Sequence, residues 1–133
     1  MATSMSVTRL YTADDFRRLA LAEFPELREE LEEYPDLLHL QMAAFARRTE
    51  RAKEEGDWDT YARCVRLADT LWRHPDEALL NALNVSYLEM IDFDGARGPV
   101  AWKHLSPALQ QGWRAMQAYL AELAYKAKQS ERR

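Results

Sequence analysis

Side chains able to do chemistry are few in this chain, and their spacing is mostly uninformative. The three histidines, His39, His74 and His104, fall on different predicted elements. No His-Glu-x-x-His or His–Cys spacing joins them, so they read as one partly buried ring and two at helix ends, not as a zinc site. Cys64 lies on an apolar helical stripe, where a free thiol acts as a small hydrophobe and lacks the exposure and partner base of a nucleophile. Ser86 stands mid-helix, without the Gly-x-Ser-x-Gly elbow that exposes a hydrolase serine. Asp92-Phe93-Asp94-Gly95 opens like a calcium loop, but Arg97, Gly98, Pro99 and Val100 supply none of the oxygen ligands that must follow. Helical carboxylate pairs remain: Glu26/Glu29, Glu29/Glu32 and Glu89/Asp92. All-α nucleotide pyrophosphohydrolases hold magnesium with such pairs on facing helices. Here the pairs are far apart in sequence, and no basic cluster accompanies them to hold phosphate.

The densest feature is acidic. Glu23, Glu26, Glu29, Glu30, Glu32, Glu33 and Asp36 crowd one short segment, with only Arg28 among them. Like charges at i, i+3 and i+4 cost helix stability, so the crowding reads either as a solvated face or as a surface for a basic partner. The whole chain carries a formal charge of −4. Residues 1–36 hold 4 basic and 9 acidic side chains (−5), residues 37–75 hold 7 and 6 (+1), residues 76–125 hold 3 and 6 (−3), and residues 126–133 hold 4 and 1 (+3). An acidic body disfavours nucleic acid and favours a basic partner.

These groups must be positioned by helices. Glycine is scarce and β-branched alternation is absent. With 133 residues, the chain is sized for one domain with its own core. The stretch Asp76–Phe93 organises the rest: Leu80, Leu83, Tyr87, Leu88 and Ile91 form a helical stripe, and Leu79, Ala82, Val85 and Met90 widen it beyond one face. Such a helix is expected to be buried among others, with at least one of Asn81, Asn84 and Ser86 buried and hydrogen-bonded. Thr12 reads as an N-cap of a helix ending near Glu23, and Pro25 as N1 of the acidic helix. Pro35 breaks that helix, and Asp36 is expected to cap the next. Leu38, Met42, Phe45, Thr49 and Ala52 make its stripe, and Gly56-Asp57 turns it into a helix over Trp58–Trp72. The pair reads as an antiparallel hairpin, similar to a tetratricopeptide helix pair but with no second copy. Asp94–Pro99 is a loop, followed by a short helix at Val100–Leu105. Ser106-Pro107 starts a last helix to about Lys128, whose Leu109, Trp113, Met116, Leu120, Leu123 and Ala127 repeat as a heptad-like seam. The fold class is therefore all-α: a single-domain bundle of five to six helices over residues 11–128, with residues 1–10 and the basic tail 129–133 flexible. No signal peptide or membrane-length apolar run is evident, and one cysteine fits a reducing compartment, so a cytoplasmic location is expected.

Phe24-Pro25-Glu26-Leu27, the Gly56-Asp57 junction and Asn81-Ala82-Leu83-Asn84-Val85-Ser86-Tyr87-Leu88-Glu89 together resemble a family of small uncharacterised bacterial helical domains. The resemblance spans roughly residues 20–116 and implies a shared fold. In size, charge and helical character the chain is also similar to immunity proteins, which neutralise a toxin encoded beside them. The expectation is a non-enzymatic protein-binding domain that masks a basic, nuclease-type toxin. Glu26, Glu29, Glu30, Glu32, Glu33 and Asp36 form the partner-binding surface, and Trp102 is an anchor if exposed. No cofactor, metal, nucleic acid or membrane is expected. The alternative is a metal-dependent nucleotide phosphohydrolase built on the carboxylate pairs. A homodimer through the last helix is a further expectation, set against closure of that seam onto the monomer core.

Overall fold

A computed structural model describes residues 9–131. Among them, seven α-helices pack around one hydrophobic core, joined only by turns and by a single isolated bridge between Tyr11 and Pro75. Helix α1 (Ala13–Glu23) begins at Thr12, which closes a reciprocal capping box with Asp15. Tyr11 is held to the body by hydrogen bonds with His74 and Asp76, so the entry to α1 is pinned. Pro25 opens a 3-10 turn (Pro25–Leu27) that runs into α2 (Arg28–Glu33). Helix α3 (Leu38–Glu55) starts without a side-chain cap: Leu37, not Asp36, is the capping residue, and the carboxylate of Asp36 stays exposed.

Gly56, at φ 67°, ends α3 in the left-handed conformation that lacks a Cβ penalty, and Asp57 caps α4 (Trp58–Arg73) through the Thr60 amide. Only two residues separate α3 from α4, and the two helices pack closely together. Their facing stripes bury Met42, Phe45, Thr49 and Ala52 with Tyr61, Cys64, Ala68 and Leu71. Phe45 stacks on Tyr87 at 4.8 Å, and the Tyr87 and Thr49 hydroxyls share a buried hydrogen bond of 3.0 Å. Burying that area drives the assembly, at about 25 cal/mol per Å² of apolar surface.

The central element is helical from end to end but not uniform. Asp76 caps α5 (Glu77–Ala82); the chain then widens into a π turn over Leu83–Tyr87 and tightens to 3-10 over Leu88–Met90. The extra residue in the π turn shifts the inward face. Leu79, Ala82, Leu83, Tyr87, Leu88 and Ile91 are buried, while Leu80, Val85 and Met90 point out. The expectation of a helix apolar and buried around most of its circumference is thereby corrected. Asn81 is exposed, Asn84 and Ser86 are half-buried, and none of the three is in the core. Lys53 carries the buried polar load instead: at 2 % exposure, its ammonium donates to the Asp92 carbonyl and pairs with Glu50 and Glu54, tying α3 to the end of the central element.

Helix α6 (Gly98–His104) follows the Asp94–Arg97 turn, and Gly98 is required there because a Cβ would strike the Phe93 carbonyl. Helix α7 (Pro107–Glu131) is capped by Ser106 through the Leu109 amide and runs three residues past the expected end at Lys128. Its seam divides. Leu109 and Met116 are buried, Trp113 and Leu120 are half-buried, and every residue from Ala121 to Glu131 is exposed. Expectations for residues 1–8 and 132–133 lie outside the described residues. No described helix is long and apolar enough to cross a membrane.

Candidate functional site

The acidic segment is positioned by one buried amide. Gln41, fully buried on α3, donates from Nε2 to the carbonyls of Leu31 and Tyr34, at 3.2 and 2.7 Å, and accepts from Arg17 at 2.9 Å. The orphan carbonyls at the end of α2 thus find a donor. Leu27 and Leu31 bury the inner side of the segment, which turns its glutamates outward.

Sequence position suggests that only Arg28 offsets these carboxylates, and the fold corrects that. Arg48 on α3 pairs with Glu26 at 3.0 Å, and Arg47 pairs with Glu30 at 2.9 Å. From α4, Arg63 takes Glu23, binding its carboxylate at 2.9 Å and its backbone carbonyl at 2.7 Å. Arg28 pairs with Glu32 at 3.2 Å. Burial pushes the Glu26 carboxyl up, but hydrogen bonds from its own amide and from Arg48 outweigh it and hold the group below the usual carboxylate range. Of the expected partner-binding carboxylates, only Glu29, Glu33 and Asp36 form no ion pair among the described residues.

Trp102 is not a free anchor. It is half-buried in an edge-to-face cluster with Phe93 and Trp113, at 5.2 and 5.3 Å, and Arg114 lies over its ring at 5.1 Å. The histidines are all exposed rather than one being partly buried. His104 stacks on Trp58, and His39 reaches Ser86 Oγ through Nδ1 at 2.8 Å and Asn81 through Nε2 at 3.4 Å. Cys64 is fully buried, and burial pushes its thiol up to about 11, far from nucleophilic use. No group of three or more His, Cys, Asp or Glu side chains that could hold a metal forms among the described residues. Asp92 instead accepts from the Asp94 amide, closing a local turn.

What sequence position does not suggest is the surface around Asn81. Three open hollows share this residue. One, of about 400 Å³, is lined by Asp36, Leu37, His39, Leu40, Ala78 and Asn81. A second, lined by Asp76, Glu77 and Leu80, passes into a third of about 570 Å³ between the π turn and α7. Leu37, Leu40, Leu80, Val85 and Tyr119, five of the exposed large hydrophobic side chains, line them. A contiguous apolar surface of this kind marks an interaction site more often than scattered exposure does. The available signal was Leu37 and Leu40, apolar residues lying off the α3 stripe.

The family model described as Domain of unknown function (DUF7674) matches residues 17–121. That covers most of the chain, which belongs to this family. No curated protein and no solved structure matches it.

Proposed function

We propose that this member of a family of unknown function is a non-enzymatic protein-binding domain for a basic partner, and that it serves as an immunity protein covering the active site of a nuclease-type toxin. One observation carries the reading. Glu29, Glu33 and Asp36 stay clear of the internal ion pairs that occupy their neighbours, and Asp36 also edges the apolar hollow of Leu37 and Leu40. Carboxylates beside an apolar depression supply what a partner interface needs: long-range attraction to speed encounter, and a dry centre to hold the docked state. Nuclease sites must bind phosphate and are therefore basic, so an acidic surface complements them. Masking requires no catalytic group. The reading takes the protein as cytoplasmic, where the single thiol of Cys64 stays reduced.

The test uses the toxin domain encoded beside this gene. Reversing Glu29, Glu33 and Asp36 to Lys should slow association about tenfold at low salt and flatten its salt dependence. Glu26→Gln, which disturbs a carboxylate already tied to Arg48, should change the rate far less. An association rate indifferent to the triple reversal would remove this surface from the interface. The absence of any toxin gene beside this one would remove the immunity role.

A further inference from the structure

We propose that two copies of this chain pair antiparallel along α7, with the exposed C-terminal half of each helix seated in the groove between the π turn and α7 of the other. The groove does not include Glu29, Glu33 or Asp36, though it shares Asn81 with the hollow that Asp36 edges, and self-pairing is read by oligomeric state rather than by binding of a basic partner.

The seam of α7 keeps its spacing from Leu109 to Ala127, but the protein covers it only as far as Leu120. Leu123 is 45 % exposed and Tyr125 63 %. The overhang from Ala121 to Glu131 is about 16 Å long at 1.5 Å per residue. Among the described residues one ion pair lies within it, Glu122 with Lys126 at 3.3 Å. Helices of that length are marginal in water without a packed face. A seam that continues in register calls for a covering surface that also continues.

The groove provides that surface. Trp72, Leu80, Val85, Met116 and Tyr119 line it, with Glu89 at its edge. Gly112 faces Trp72 so closely that a Cβ would clash, and this keeps the floor low. With a two-fold axis near Leu120, Tyr125 of one copy lies level with Ala115 of the other, and Lys128 with Gly112. Each copy both offers a helix and receives one, as closed two-fold symmetry requires.

Charge selects a second copy as the occupant. The overhang carries Lys126 and Lys128, whereas the groove and the hollow it joins are edged by Asp76, Glu77 and Glu89. The antiparallel arrangement brings Lys126 and Lys128 of one copy toward Glu89 of the other, twice per dimer. The overhang and groove together offer about twenty residues per copy, the size at which specific interfaces begin, near 800 Å² a side.

Sedimentation equilibrium of the full chain tests this. Wild type should form a dimer that dissociates on dilution. Leu123→Asp should raise the dimer dissociation constant roughly 30-fold or more, the effect of losing a central apolar anchor. Because that substitution also lowers the helicity of α7 itself, a second set of variants uses charge. Glu89→Lys should weaken the dimer, more at low salt than at high salt, and adding Lys126→Glu and Lys128→Glu should restore it. A strict monomer at every concentration overturns the proposal, as does a dimer indifferent to Leu123→Asp. Failure of the triple variant to recover overturns the antiparallel register. Growth beyond a dimer would mean a head-to-tail contact and overturns the closed pair.

Discussion

Asp15 does two jobs with one carboxylate. It closes the capping box of α1, accepting from the Thr12 amide at 2.8 Å, and it receives Arg9 at 2.8 Å and Arg18 at 3.1 Å. The Arg9 guanidinium, with the Thr12 amide second, holds its carboxyl well below the usual carboxylate range. In the unfolded chain the group takes up a proton near pH 4. The folded state therefore gains from Asp15 at any pH above that value, and the gain drains away as pH falls toward the lower folded pKa. Asp15→Asn should be less stable than wild type at neutral pH but should have the flatter acid limb, so that the gap between the two narrows steadily as pH falls below about 4. Denaturant midpoints measured from pH 7 to pH 2 would check this; a constant gap across the range would show that Asp15 contributes packing but no titrating charge.

Elements whose reasons are local were legible in the sequence, and those whose reasons are tertiary were not. Thr12, Gly56-Asp57 and Ser106-Pro107 mark helix ends because the capping atoms lie within three residues of the groups they satisfy. Asp36 reads as a cap by the same rule, yet Leu37 holds that position. The π turn at Leu83–Tyr87 was hidden because a regular 3.6-residue stripe can be drawn through the same residues, and only the exposure of Leu80, Val85 and Met90 betrays the shift. The neutralised part of the acidic segment was hidden for another reason. Arg47, Arg48 and Arg63 stand 17 to 40 residues from their carboxylates and meet them only once α3 and α4 are in place. Gln41 is the hinge of that arrangement, since α2 is only six residues long and its end carbonyls depend on this side chain. Gln41→Leu keeps the volume but leaves those carbonyls and the Arg17 guanidinium without a partner. It should cost about 2 kcal/mol and speed amide exchange in α2 well before the rest of the chain. Chemical denaturation combined with hydrogen exchange reads both, and uniform loss of protection would mean that Gln41 supports the core as a whole rather than mooring the acidic helix.

At the scale of the whole molecule, stability is unevenly distributed, and the unevenness separates a monomer from a pair. Phe45 on α3 and Tyr61 on α4 are fully buried in the core, so the amides of both helices should exchange only through global unfolding. Residues Ala121–Glu131 are all exposed, and in a monomer their helix opens without disturbing that core. Binding to a second copy stabilises the closed helix by mass action, so protection there depends on how much partner is present. Amide exchange at two concentrations bracketing dimer dissociation should therefore show protection between Ala121 and Glu131 rising with concentration. Over Met42–Ala52 and Tyr61–Leu71, the same change in concentration should lift protection only by the free energy of association, equally at every site that needs global unfolding. Fast exchange from Ala121 onward at both concentrations would mean that α7 projects into solvent alone, and its apolar residues would then have to be explained by a partner other than this chain.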